Sequence, residues 1–346
     1  MNYHYEMSLT YYHFKMIKLI FKSFYPVLAL FLISLLGCGQ ITGKTSVPYE
    51  TAKNPEAYFC TETDCSKVFE SKIKSANFSV HCAFYDIELK NIINALAKKS
   101  KEIDVRVVID NGNYDGQIKG EGVRIDDEKQ LMHNKFCIID NDVVLTGSFN
   151  PTDNDNNYNN NNVMAIYSSI LAKNYEEEFE ELWNGGFGKG SKVKYPASII
   201  NGIKIENYFC PEDGCASRIA DAVKNAKFSA NAAFFTFTNE LIADELLKAK
   251  SRGVEVSVLV ESRQRNVKNS QYQRLRDFGL NIRLDKNKYT MHHKIIVIDG
   301  KITITGSFNP TLSADTKNDE NILVLHDEKI AGKFTEEFSR LWADAK

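Results

Sequence analysis

The chain has no excess of either charge: 43 Lys and Arg stand against 45 Asp and Glu in 346 residues. A globally basic nucleic-acid binder is thereby excluded, although a local basic groove on a balanced surface is not. Histidine is scarce, at seven, and His4, His13, His81 and His326 show no metal-ligand spacing. No metal or cofactor is expected. Long apolar runs are missing after residue 38, and VLALFLISLLGC, which ends there, is short for a full membrane span.

What is present is a pattern stated twice. HxKxxxxD followed by GSxN occurs as His133, Lys135, Asp140, Gly147, Ser148 and Asn150, and again as His292, Lys294, Asp299, Gly306, Ser307 and Asn309. Two copies in matching contexts exclude accident. HNKFCIID and HHKIIVID read as short strands, so each histidine shares a face with the lysine two residues on. Asp140 and Asp299 fall at hairpin turns and are expected to be structural. Gly147 and Gly306 then allow a sharp turn that brings Ser148, Asn150, Ser307 and Asn309 to the same end.

That set of groups suits phosphodiester chemistry without a metal. A neutral imidazole can attack phosphorus to give a phosphohistidine, while Lys and Asn donors hold the nonbridging oxygens. A second imidazole must protonate the leaving alkoxide. Each copy supplies one such histidine, so the reaction needs both copies facing one cleft. The chain carries both and is expected to work as a monomer.

The motif lies inside a longer repeat. The segment beginning at Tyr58, YFCTETDCSKVF, matches YFCPEDGCASRI beginning at Tyr208, and both continue as amphipathic helix, buried strand, motif hairpin, polar loop, strand and helix. This alternation predicts an α/β fold of two units, at 50–184 and 206–346, joined by a Gly- and Lys-rich linker over 185–205. The chain resembles the phospholipase D superfamily, whose signature is this HxKxxxxD and GSxN pair. The resemblance implies two α/β/α units with mixed sheets, packed about a pseudo-two-fold axis around one shared cleft. It also implies a phosphohistidine mechanism, and leaves the substrate open.

Residues 1–38 read as a signal peptide, with Lys15, Lys18 and Lys22 before the apolar run and Cys38 after it. LLGC resembles a bacterial lipobox, in which Cys38 would be lipidated; Met16 could be the true start, and an uncleaved anchor is the competing reading. Each places the rest of the chain outside the cytoplasm, as a membrane-anchored lipoprotein or a secreted protein. Cys60 with Cys65, and Cys210 with Cys215, form equivalent CxxxxC pairs, expected as two local disulfides; a shared zinc site is the alternative. Cys82 and Cys137 lie in apolar strands and are expected to be inert core residues.

The copies differ at one evident position. Glu320 follows His292 at the spacing where endonuclease-like members of the superfamily carry a glutamate, and Asn161 stands at that spacing from His133. A carboxylate beside an imidazole favours its protonated form. On that basis His292, held cationic by Glu320, is expected to be the general acid and His133 the nucleophile; the resemblance, through the superfamily's tendency to use the first motif's histidine, implies the same. The run around Asn161, DNDNNYNNNN, reads as a low-complexity polar loop. His293 is expected to be a packing or surface residue. Phe84, Tyr85, Phe234, Phe235 and Phe237 are candidates for either the cleft mouth or the core. Lys248, Lys250, Arg252, Arg263, Arg265, Lys268, Arg274 and Arg276 could line an anion groove or form a solvated face.

The expected activity is hydrolysis of phospholipid headgroup esters, with the membrane engaged through a lipid anchor. The alternatives are a nonspecific extracytoplasmic endonuclease acting on nucleic acid, a cardiolipin synthase-like phosphatidyl transferase, and a silent binding lipoprotein.

Overall fold

The computed structural model describes residues 47–346. The signal segment and Cys38 lie outside the described residues.

The first half runs β1 (Tyr49–Glu50), β2 (Glu56–Phe59), α1 (Cys65–Ser75), β3 (Ser79–Phe84), α2 (Lys90–Lys99), β4 (Asp104–Ile109) and β5 (Val123–Ile125). It continues with β6 (Lys135–Ile139), β7 (Val143–Gly147), α3 (Asp153–Asn157), β8 (Asn162–Tyr167) and α4 (Ser169–Trp183). The second half runs β9 (Ala197–Ile200), β10 (Ile203–Cys210), α5 (Cys215–Lys224), β11 (Ser229–Phe234), α6 (Glu240–Ser251), β12 (Glu255–Val260), α7 (Tyr272–Asp277) and β13 (Asn281–Leu284). It ends with β14 (Lys294–Ile298), β15 (Ile302–Gly306), α8 (Leu312–Thr316), β16 (Glu320–His326) and α9 (Glu328–Asp344).

Both sheets are mixed. The seven-stranded sheet has the order β2-β8-β7-β6-β3-β4-β5, and the nine-stranded sheet β1-β9-β10-β16-β15-β14-β11-β12-β13. β3, β4 and β5 run parallel, as do β11, β12 and β13, because a helix or loop crossover returns the chain each time. The motif strands β6 and β14 pair antiparallel with β3 and β11 at the middle of each sheet. The stretch expected to be a plain linker, 185–205, carries β9, which pairs with β1 from the N-terminal side of the first half. The connector is therefore built into the second sheet's edge.

Strand alternation explains the layers. In β6, Phe136 and Ile138 face a core shared by both halves, while Cys137 and Ile139 face the first half's outer core under α1 and α2. In β14, Ile295 and Val297 face the same shared core, and Ile296 and Ile298 face the outer core under α5 and α6. α4 and α9 contribute Tyr175, Phe179, Phe334 and Phe338 to the shared core. Each such side chain contributes about 2 kcal/mol on burial, so the two sheets are held as one body by their inner faces.

Three disulfides are formed among the described residues. Cys60–Cys65 and Cys210–Cys215 close the two expected local loops. Cys82 and Cys137, expected to be free core thiols, are joined to each other. They are register partners on the adjacent strands β3 and β6, so two residues that each look like small hydrophobes meet side by side. The equivalent pair in the second half is Ala232 and Ile296.

Candidate active site

Each motif hairpin is closed by a turn with positive φ at both central residues, Asp140 and Asn141 in one half and Asp299 and Gly300 in the other. Asp140 accepts hydrogen bonds from the backbone N–H of Asn77, Phe78 and Ser79, at 2.8, 2.7 and 3.0 Å. Asp299 accepts from Lys227, Phe228 and Ser229 at 2.9, 2.7 and 2.9 Å. Both carboxyls are held below their usual range: burial pushes them up, and these amides more than offset it. The motif aspartates therefore fasten the hairpins and are remote from the chemistry.

At the other end of the hairpin, Gly147 and Gly306 have φ of 150° and 151°, and any Cβ there would strike the carbonyl of Asn162 or Asn321. This close approach lets Ser148 and Ser307 donate their backbone N–H to those carbonyls, at 3.0 and 3.1 Å.

The two halves meet through the motifs. Met132 bridges to Asp319 and Met291 to Asn160, and the backbone N–H of His133 and His292 donate to the carbonyls of Asp319 and Asn160, at 2.9 and 3.0 Å. Each histidine ring is also held from the opposite half. His133 Nδ1 lies 2.8 Å from Glu320 Oε2. His292 Nδ1 lies 2.9 Å from Asn161 Oδ1 and 3.5 Å from Asp155 Oδ2. The expected placement of Glu320 beside His292 is thus reversed: residues that follow a motif in sequence serve the other motif's histidine, because β8 and β16 begin where the halves cross.

In both rings Nδ1 is occupied and Nε2 is left for a substrate. Lys135 and Lys294 fold back so that each Nζ donates to the carbonyl of its own motif histidine, at 2.6 and 2.7 Å. Burial lowers Lys135 to about 8 and, with Lys135 beside it, lowers Lys294 well below its ordinary value. Burial, with Lys294 beside it, lowers His292 to about 4; burial, with Lys135 and Lys294 close by, likewise lowers His133. Four basic groups from two halves therefore crowd one buried space. A phosphodiester anion entering it would favour the protonated forms of these groups.

The supporting residues divide unevenly. Ser307 Oγ donates to Glu320 Oε2 at 2.6 Å, and Ser148 Oγ to Asn161 Oδ1 at 3.2 Å. Asn150 donates both its N–H and its Nδ2 to Asp155 Oδ2 at 2.8 Å, whereas Asn309 has Ala314 at the position equivalent to Asp155. The Oδ1 of each of these asparagines is buried without a partner. The run read as a low-complexity loop holds α3, and Asp155, Asn159, Asn160, Asn161 and Asn162 in it are all buried. Composition concealed it; comparison of the run with LSADTKNDEN, position by position, shows Asp155 opposite Ala314 and Asn161 opposite Glu320.

Of the candidate aromatics, Tyr85 and Phe235 stand edge-on to His133 and His292, with ring centroids 4.6 and 5.1 Å apart, and Phe84, Phe234 and Phe237 are core. His293 is buried between Asn162 and Glu337, a packing role with both ring nitrogens engaged. Five members of the basic cluster have partners within the protein. Lys248, Arg263 and Arg274 pair with Glu245, Glu261 and Asp244, while Lys250 and Arg252 donate to backbone carbonyls.

A family model described as cardiolipin synthase, PLD-like domain, matches the chain twice, over residues 69–183 and 219–342. The chain belongs to the phospholipase D superfamily. It is 36% identical over 126 residues to a mitochondrial cardiolipin hydrolase of Chlamydomonas reinhardtii, a match covering 36% of this chain and 56% of that protein. It is 34% identical over 144 residues to a phospholipase D of Rickettsia bellii, covering 41% of this chain and 72% of that protein. The chain thus spans little more than half of the first relative's length. The crystal structure of a phosphatidylserine synthase of Haemophilus influenzae aligns with a TM-score of 0.65 at 12% identity, over 84% of this chain and 86% of that one. The likeness to the synthase is one of fold, and it extends over both halves of the superfamily fold seen here.

Proposed function

We propose that this phospholipase D-type phosphodiesterase hydrolyses phospholipid headgroup esters through a covalent phosphohistidine, without a metal. The observation that carries the reading is that each motif histidine is fixed at Nδ1 by the opposite half, so two Nε2 atoms are offered within one lysine-lined space. One imidazole attacks phosphorus, the other protonates the departing alcohol, and water then cleaves the phosphorus–nitrogen bond. Lys135 and Lys294 take up the nonbridging oxygens, whose charge grows in the transition state. The names of the two relatives, a cardiolipin hydrolase and a phospholipase D, support a lipid substrate.

The three disulfides support an oxidising, extracytoplasmic location, with lipidated Cys38 as the membrane anchor. Mass spectrometry of the mature N-terminus is expected to show a diacylated Cys38; an intact residue 1–38 segment would refute lipidation and favour the uncleaved anchor.

A nucleic-acid substrate is favoured by one feature. Tyr158 and Tyr289, from opposite halves, stack at 4.4 Å with much of their surface exposed and Lys288 beside them, a surface on which a base could stack. The two readings separate when mature protein is offered phosphatidylcholine, cardiolipin, single-stranded DNA and RNA in EDTA, with His133→Ala as control. Release of choline or glycerol species without nucleic-acid cleavage is expected; the converse would establish the nuclease, and a strict need for a divalent ion would refute the mechanism.

A further inference from the structure

Resting on the reading that His133 and His292 serve one phosphodiester site, we infer that the connector between the halves is part of that site: the backbone N–H of Gly188 and the carboxyl of Asp319 are a positioning pair for His133. Both act through the segment that holds the histidine and not on substrate.

Each motif histidine hangs from a short segment of the opposite half. His133 donates its backbone N–H to the carbonyl of Asp319, Asp319 donates its own to the carbonyl of Leu131, and Glu320, the next residue, meets the ring at Nδ1. His292 is held in the same way: its N–H meets the carbonyl of Asn160, Asn160 donates to Thr290, and Asn161 meets the ring. The placing of each ring therefore follows from the placing of Asp319 or Asn160, both of which are buried.

The side chains of Asp319 and Asn160 are fixed from different places. Asn160 Oδ1 accepts from Asn287 Nδ2 at 2.6 Å, and the same Nδ2 lies 3.1 Å from the carbonyl of Tyr158. Asn287 stands in the loop before the second motif, where its N–H donates to the Asp285 carboxyl at 2.8 Å. The first half has the same turn, with Glu128 donating its N–H to Asp126 at 2.7 Å. Glu128 thus occupies the position of Asn287. A carboxylate there has no hydrogen to give, and the group it would have to meet is another acid, Asp319.

The connector supplies the missing donor. Gly188 N–H meets Asp319 Oδ1 at 2.7 Å, which among the described residues is the one hydrogen bond this side chain makes, since Oδ2 is buried without a partner. A Cβ on Gly188 would lie 2.7 Å from the carbonyl oxygen of Lys317, the counterpart of Tyr158. Gly188 therefore fills the space that the Asn287 side chain fills on the other side. Its φ of 64° suits glycine, and Phe187 before it is buried in the shared core with the Arg124 guanidinium 5.7 Å from its ring, so the peptide is anchored where it meets Asp319. His133 thus depends on a third segment of the chain, and His292 does not.

Steady-state hydrolysis of bis(4-nitrophenyl) phosphate, with imidazole nitrogen NMR on the same proteins, tests this. Gly188→Ala, whose methyl must move away from Lys317, is expected to lower kcat about 30-fold with KM within about twofold of wild type. It should also shift the His133 ring signals, identified by their loss in His133→Ala, while those of His292 stay in place. Glu128→Asn added to Gly188→Ala rebuilds the donor of the other half and is expected to return kcat to within about threefold of wild type. Asp319→Ala should match Gly188→Ala, and Asp319→Asn, which keeps an acceptor as Asn160 does, should recover most of the loss; this second pair decides the matter if Gly188→Ala does not fold. Full kcat in Gly188→Ala and Asp319→Ala would overturn the inference. So would losses that neither Glu128→Asn nor Asp319→Asn recovers, or His133 signals that do not move. Wild-type protein that turned over no phosphodiester would instead refute the shared-site reading, and the ring signals would still report whether Gly188 places His133.

Discussion

The two halves of the chain present the same motif in two electrostatic settings. At the start of β8 the first half places an amide, Asn161, and at the start of β16 the second places a carboxylate, Glu320; six residues earlier in the chain the contrast reverses, Asp155 against Ala314. Each histidine therefore has a carboxylate, but at 2.8 Å for His133 and 3.5 Å, beyond an amide, for His292. A second contrast lies behind the motifs. Glu337 is buried between His293 and Arg340, at 3.0 and 2.8 Å, while its equivalent Glu178 meets only Asn134, at 3.2 Å, with Glu181 standing where Arg340 would be. Where one half keeps an ion pair the other keeps a neutral hydrogen bond. The backbone is duplicated, and the charges are free to differ wherever a buried carboxyl can find either a cation or a proton.

The largest expected effect is common to the two halves. Either His133→Ala or His292→Ala is expected to lower phospholipid turnover about 1,000-fold or more, read by release of the headgroup. A variant of either that kept full lipid turnover would dissolve the paired site.

Next comes the buried ion pair. Despite burial, hydrogen bonds from His293 and Arg340 hold Glu337 at about 2, so its stabilisation is complete above its ordinary value of 4.5 and is lost as pH falls towards 2. Glu337→Gln is expected to cost about 3 kcal/mol in urea unfolding at pH 7, and less at pH 3. Glu178 is raised well above 4.5 by burial, with Asp319, Glu212 and Glu181 close by, so its contribution is present at low pH and falls as pH rises. Glu178→Gln is accordingly expected to be neutral or stabilising at pH 7. Equal losses for the two would end the contrast.

The Cys82–Cys137 disulfide gives the third test, since only the first half has it. Its replacement by paired alanines is expected to cost about 2–4 kcal/mol on thermal or chemical unfolding. Smallest and most even are the hairpin aspartates: Asp140→Asn and Asp299→Asn should each cost about 1–2 kcal/mol, by the loss of charge-assisted bonds to three amides. Here the halves should match, and a large difference would show that one hairpin is better held by other means.

Much of this was legible because it is local. The motif strands, which open at Lys135 and Lys294 and leave His133 and His292 just ahead of them, the turns at Asp140 and Asp299, and the repeated order of strands and helices follow from local sequence pattern. The partners of the histidines do not, because a residue's distance along the chain says nothing of which half its side chain enters. Glu320 was assigned to its own motif and belongs to the other. Asp155 is hidden by an asparagine-rich run whose composition suggests a loop, although each of its buried side chains has a definite acceptor or donor to meet. Cys82 and Cys137 were hidden by hydrophobic strands, where a cysteine is indistinguishable from an alanine until the strands are paired.

The connector that carries β9 has a genetic consequence. Were the two half-sites contributed by identical chains, any substitution would strike both, and a change that improved a nucleophile would also alter the acid. With both halves in one reading frame, joined through a strand of the second sheet, each half-site can be inherited and altered alone. An exchange such as Asp155 and Asn161 for Ala314 and Glu320 is open only to such a chain, and engineering can use the same freedom one histidine at a time.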